Sequence, residues 1–324
     1  MKELHLWITL VAAIPLLTAC NETESIETLP VPLSFSTSVE AQTKGSDFTT
    51  NSLTSMGVFA SLTHGNFTTS ATPNFMYNQE VTKAVGNGAW SYSPAKYWPV
   101  NTNDKISFFA YAPRNASGVT PSATSKTGYP ELTYTVPAAE ASQTDLLAAT
   151  PIMDKNGGAV NFSLKHALTK VTFVVKNGDS DGSPKTVNSF SMKAKTSGKL
   201  TYTNSGFGWG STTGTTTYTP TNGTNIAVPT TQNGTVNLAT FYLIPDNAGA
   251  TFSIKYTMQG NIETGGTAPA HTVTVTDKTI GTTPAWTTSG AVTYTITISK
   301  TGLTVEAITT TGGTWTGSTT EVEK

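Results

Sequence analysis

TFSIKYTM, residues 251–258, decides the fold class. Phe252, Ile254, Tyr256 and Met258 fall on one face at a period of two, against Thr251, Ser253, Lys255 and Thr257. That alternation marks a strand with one buried and one wet side. It recurs along the chain. KVTFVVK (170–176) aligns Val171, Phe173 and Val175, and HTVTVT (271–276) sets Val273 and Val275 against threonines. YTITIS (294–299) gives Tyr294, Ile296 and Ile298, and ELTYTV (131–136) gives Leu132, Tyr134 and Val136. Threonine is abundant, stiff at χ1 and at home in strands. Gly, Asn and Pro punctuate the turns. Helix formers are scarce in runs. Many short strands separated by turn clusters predict an all-β protein of antiparallel β-sandwiches.

At 324 residues the chain is too long for one ordinary sandwich and comfortable for two domains. A first block is expected over 30–158 and a second over 159–324. PIMDKNGGAV (151–160), with its proline and paired glycines, is the expected connector. Residues 204–234, rich in Gly, Thr and Asn, are expected to form long loops, and the final residues a polar tail. Only 12% of residues are charged and the formal net charge is −1. No basic patch for nucleic acid and no acidic tail is present.

The single cysteine, Cys20, closes the segment LLTAC (16–20). Lys2 precedes a mostly apolar run from Leu4 to Leu17, followed by the small residues Thr18 and Ala19. Positive start, short apolar core and small residues make residues 1–19 a secretory signal. The core is short of the roughly 20 apolar residues that span a bilayer. LTAC resembles the bacterial lipobox, which implies cleavage between Ala19 and Cys20 and lipidation of the thiol. Several acyl chains, at about 0.8 kcal/mol per buried CH₂, make a stable membrane anchor. One thiol can neither pair within the chain nor build a metal cluster. The polar, acidic NETESIETL (21–29) completes a flexible tether over residues 20–29. It resembles a surface-export signal.

No chemistry-bearing cluster emerges. His5, His64, His166 and His271 lack ligand spacing, and no nucleophile elbow is present. GFGWG (206–210) has no following lysine or helix to hold a phosphate, and reads as a loop. DSDG (179–182) lacks the calcium-loop pattern and reads as a hairpin turn. The expectation is a protein that is not an enzyme and uses no cofactor or metal.

One constellation stands apart: WSYSPAKYWPVNTNDKISFFAYAP, residues 90–113. Trp90, Tyr92, Tyr97 and Trp98 lie within nine positions. The rings could stack on sugars; the favoured reading is that they plug a sandwich end. The segment resembles the fimbrillin family of Bacteroidia, the type V pilins: W-x-Y-x-P-x-K-Y-W-P, a polar turn, then F-F-A-Y-x-P. TDLLAAT (144–150), NFSLKHALTKVTFVV (161–175) and WTTSGAVTYTITI (286–298) resemble further family segments, the last with Thr295 and Ile296 where a second aromatic is common. The resemblance implies two tandem transthyretin-like sandwiches, a lipoprotein precursor and a place in cell-surface fimbriae.

LPVPLSFSTSVEAQTKG (29–45) reads as a first strand. Val31, Leu33, Phe35 and Val39 share one face, and Pro30 and Pro32 confine its start to a sheet edge. The family implies an exchangeable strand: a protease removes it and a neighbour's strand fills the groove. Lys44 stands where the family commonly has arginine, so Lys44–Gly45 is the candidate cut. The implied partners are other fimbrial subunits, the outer membrane through Cys20, and host or bacterial surface ligands. The rival expectation is a surface glycan-binding lipoprotein, which would share the lipobox, the sandwiches and the aromatics.

Overall fold

The computed structural model describes residues 30–40, 48–86, 88–259, 269–311 and 320–322. Among them are β-strands, one 3-10 turn at Glu140–Ser142 and no α-helix. The strands begin with β1 Phe35–Val39, β2 Ser55–His64, β3 Met76–Thr82, β4 Asp104–Ala112, β5 Val119–Pro121, β6 Glu131–Thr135 and β7 Leu147–Ala149. They continue with β8 Ile152–Lys155, β9 Val160–His166, β10 Thr169–Asn177, β11 Lys185–Ala194, β12 Ser197–Tyr202, β13 Phe207–Thr213 and β14 Thr216–Tyr218. Then come β15 Ile226–Val228, β16 Thr235–Leu243, β17 Thr251–Gln259, β18 Ala270–Thr279, β19 Gly290–Ser299, β20 Gly302–Thr311 and β21 Thr320–Val322.

Four sheets result. The first runs β1-β9-β7-β4-β2-β3, with β8 also on β4. The second runs β16-β10-β19-β20-β21 and the third β14-β11-β17-β18, with β15 on β11. The fourth runs β13-β12-β6-β5. The alternation in residues 251–258 appears as β17, with Phe252, Ile254 and Tyr256 buried and Lys255 exposed. Phe173 of the second sheet meets Phe190 and Phe252 of the third at 4.9 and 6.2 Å between ring centroids. Tyr294 stacks on Phe173 at 5.2 Å. These rings weld the second and third sheets face to face.

The first sheet is buried on both sides. In β4, Ile106, Phe108, Ala110 and Ala112 join one apolar cluster while Phe109 and Tyr111 join another. Its near-continuous apolar run, ISFFAYA, suits a strand without a wet face. The back meets the fourth sheet: Phe109 lies edge-on to Tyr202 at 5.6 Å, and the Tyr202 hydroxyl donates to Ala110 O at 2.6 Å. Among the described residues no second sheet covers the front. Leu33, Leu53 and Trp98 close it instead, with Phe48, Trp90 and Tyr92 packed at their margin.

Several expectations need correction. The divide at 158/159 is not where the strands separate. β9 lies beyond it yet sits between β1 and β7, and the fourth sheet joins β5 and β6 to β12 and β13. Periodicity reports that a segment is a strand but not its partner. Nor is every pairing antiparallel: β1–β9 and β10–β19 are parallel. The expected connector carries β8, paired with β4. The expected loops at 204–234 carry β13, β14 and β15, and most of GFGWG lies in β13 opposite β12. Phe207 and Trp209 pack on the core there, which gives a glycine-rich stretch its reason to order. DSDG connects β10 to β11, strands of different sheets, so it is a crossing and not a hairpin.

Phe173 is central to the second and third sheets. Phe173→Ala is expected to lower unfolding free energy by about 3–5 kcal/mol in urea titrations. Lys255→Ala, on the wet face of β17, should change it by about 0.5 kcal/mol or less. Comparable losses from the two would contradict the assigned faces.

Candidate functional site

Among the described residues β1 ends the first sheet and has one ladder partner, β9, in parallel register from Phe35 opposite Val160 to Val39 opposite Leu164. Val160 N–H donates to Ser34 O at 3.1 Å and Glu40 N–H to Leu164 O at 2.9 Å. Even-numbered residues therefore turn their backbone toward β9, and odd-numbered ones turn theirs outward. On that outer flank Val39 N–H finds Thr50 Oγ1 at 3.0 Å. Phe35 stacks on Phe162 at 5.7 Å and meets Tyr92 and Phe108 edge-on at 5.3 and 6.1 Å. Leu33 and Phe35 are buried and Val39 is half-buried.

Val31 departs from the expected shared face and is 60% exposed. The chain before residue 34 does not follow β9. It pairs antiparallel with the aromatic loop: Pro32 bridges Tyr97, Leu33 N–H donates to Lys96 O at 2.9 Å, and Trp98 N–H donates to Val31 O at 3.0 Å. Pro30 and Pro32, lacking N–H groups, cannot extend a regular ladder. Val31 lines an open cleft of about 250 Å³ with Trp98, Pro99 and Val100.

The aromatic loop clamps this segment. The Tyr92 hydroxyl donates to Leu33 O at 2.9 Å and accepts from Lys96 N–H at 3.4 Å. Burial pushes this hydroxyl above the usual phenol range, against a smaller pull from the Lys96 backbone, so it stays neutral and able to donate. Trp90 Nε1 donates to Thr37 Oγ1 at 3.2 Å, and Lys83 Nζ sits 5.3 Å from its ring centroid. Trp98 is buried edge-on to Phe108 at 5.9 Å. Tyr97 alone of the four rings is largely exposed, at 48%. Ala19, Cys20, Lys44 and Gly45 lie outside the described residues.

A second convergence was invisible as a pairing in the sequence. His166 Nδ1 is hydrogen-bonded to Asp145 Oδ2, with both side chains only 4% exposed. Around them Ala167 N–H donates to Leu146 O at 2.7 Å and Ser289 Oγ to His166 O at 2.8 Å. Trp209 Nε1 donates to Ala167 O at 2.6 Å, and Thr169 Oγ1 to Thr287 O at 2.8 Å. TDLLAAT, NFSLKHALTKVTFVV and WTTSGAVTYTITI thus meet where β9 passes to β10. Asp145 and His166 stand 21 positions apart, so spacing could not join them. The geometry is that of a structural joint. Among the described residues no group of three or more His, Cys, Asp or Glu is placed to hold a metal.

The clamp generates a test. Tyr92→Phe keeps the ring and removes the hydroxyl, and is expected to cost about 1–3 kcal/mol through the buried Leu33 carbonyl left unpaired. Hydrogen exchange should quicken at residues 33–40 while β10 and β19 stay protected. Unchanged exchange at 33–40 would contradict the clamp.

A family model described as fimbrillin-like matches residues 39–315. Among solved structures, a fimbrial protein from Bacteroides vulgatus aligns with a TM-score of 0.66 at 20% identity, covering 86% of this chain and 98% of that one. The fimbrial anchor protein Mfa2 from Porphyromonas gingivalis aligns with a TM-score of 0.38 at 11% identity, covering 86% and 97%. No curated protein matches the sequence. The Bacteroides vulgatus likeness is one of fold. The family match runs from the end of β1 into the residues beyond β20, across all four sheets, and the chain belongs to the fimbrillin-like family.

Proposed function

We propose that this protein is a structural subunit or anchor of cell-surface fimbriae, supporting adhesion, and that it joins its neighbours by exchange of β1. The observation that carries this reading is the state of β1: one ladder partner, an outward flank, and apolar contacts centred on Phe35 and Leu33. Each such side chain contributes roughly 1.5–3 kcal/mol when fully buried. Another strand with apolar residues at period two would recover the same contacts.

The candidate cut at Lys44–Gly45 lies in the segment that follows β1. Cleavage there would free β1 to leave, uncovering Phe162 and the β9 edge. A strand from a neighbouring copy would then pair with β9, with side-chain alternation selecting the register. Cys20 would carry the lipid anchoring the precursor in the outer membrane and presenting it at the cell surface. A subunit that keeps Cys20 would serve as anchor, and one that loses it as stalk. The rival glycan-binding reading needs free aromatic faces, and Tyr97 alone among the four clamp rings offers much exposed surface.

The test replaces residues 41–47 with a specific protease site. After cleavage, multimers are expected in size-exclusion chromatography with fimbrial partner subunits, and a peptide of residues 30–40 should suppress them. A cleaved chain that stays monomeric with every partner would refute strand exchange. Mass spectrometry of surface material distinguishes the roles: a mature start at Gly45 marks a polymerising subunit, and an acylated Cys20 marks an anchor.

A further inference from the structure

Asn177, Asp179 and Lys185 form a polar cluster where β10 crosses to β11. The Lys185 side chain is 1% exposed and Asn177 is fully buried. Lysine is rarely buried this deeply without a partner. Its ladder neighbours Val228 and Met258 are apolar. Its Nζ lies 2.7 Å from Asn177 Oδ1 and 2.9 Å from Asp179 Oδ2. The carboxamide is held at both ends. Oδ1 also accepts the Asp179 N–H at 3.1 Å, while Nδ2 donates to Thr230 O at 2.9 Å and Thr231 O at 3.4 Å. The Asp179 carboxylate is aimed in turn by Lys300 N–H, at 3.1 and 3.3 Å from its two oxygens. An amine, a fixed amide carbonyl with a donor on its oxygen, and a carboxylate touching the amine together make the parts of an acyl transfer.

We propose that Lys185 and Asn177 join in an intramolecular amide bond, with Asp179 carrying the protons. Asp179 takes a proton from the Lys185 ammonium, and the freed lone pair attacks Asn177 Cγ. The carbonyl electrons shift to Oδ1, where the Asp179 N–H faces the developing charge. Asp179 gives its proton to Nδ2 and takes one from the attacking nitrogen. The Cγ–Nδ2 bond breaks, the carbonyl reforms, and ammonia departs, collecting the last proton as ammonium. One C–N bond forms and one breaks; nothing is oxidised and no co-reactant enters. The product ties the end of β10 to the start of β11, locking the crossing between the second and third sheets.

Tryptic mapping of the full chain by tandem mass spectrometry tests this. Trypsin needs a free lysine side chain. The bond predicts one peptide, Asn177–Lys193, uncut at Lys185 and lighter than its sequence by one ammonia. Separate peptides Asn177–Lys185 and Thr186–Lys193 would overturn the proposal. Asn177–Gly178 can also lose ammonia by closing to a succinimide. That product leaves Lys185 cleavable, so ammonia loss with cutting at Lys185 likewise rejects the bond. Asp179→Ala, with its fold checked by circular dichroism, is expected to restore cutting at Lys185. A linked peptide in that variant would remove Asp179 from the reaction.

Discussion

A sheet with apolar side chains on both faces must be covered twice, and the first sheet meets that demand unequally. β4 directs Phe109 and Tyr111 to the back and Ile106, Phe108 and Ala110 to the front. The back receives a whole second sheet. The front receives a loop and a short N-terminal segment. Leaving it open would expose Phe108 and Phe162 to water, so the cover is obligatory for stability even though it is small. Phe35, Leu33 and Trp98 fill the face, and backbone bonds to β9 and to residues 96–98 tie the segment down.

That imbalance falls at the edge of the sheet. β1 contributes one ladder at the end of a seven-stranded sheet, and the loop reaches it through Tyr92, Trp90 and the 96–98 backbone. An edge strand is a template for pairing with another chain unless it is blocked. Here β1 itself is the block over β9.

The other half of the molecule is built to resist change. Phe173, Phe190, Phe252 and Tyr294 form one ring cluster between two sheets. The Asp145–His166 joint fastens the passage from β9 to β10 with bonds from the residues before β7, from β13 and from the segment before β19. The buried Lys185 cluster fastens the crossing that follows.

The sequence by itself determined the strand class and the faces. Alternation at 251–258 and 294–298 is a local property of side chains on a pleated backbone, so it survives without knowledge of partners. It also marked the aromatic run at 90–98 and the apolar residues of the first strand. Only the tertiary structure decided which strands meet. β9 joined β1 across the expected divide, residues 207–213 became a strand because Phe207 and Trp209 found a core, and Val31 turned outward because its backbone pairs with residue 98 and not with β9. The Asp145–His166 and Lys185–Asn177 contacts belong to the same class. Ladder partners and buried polar contacts are set by where distant segments pack, and periodicity in one segment carries no information about the other.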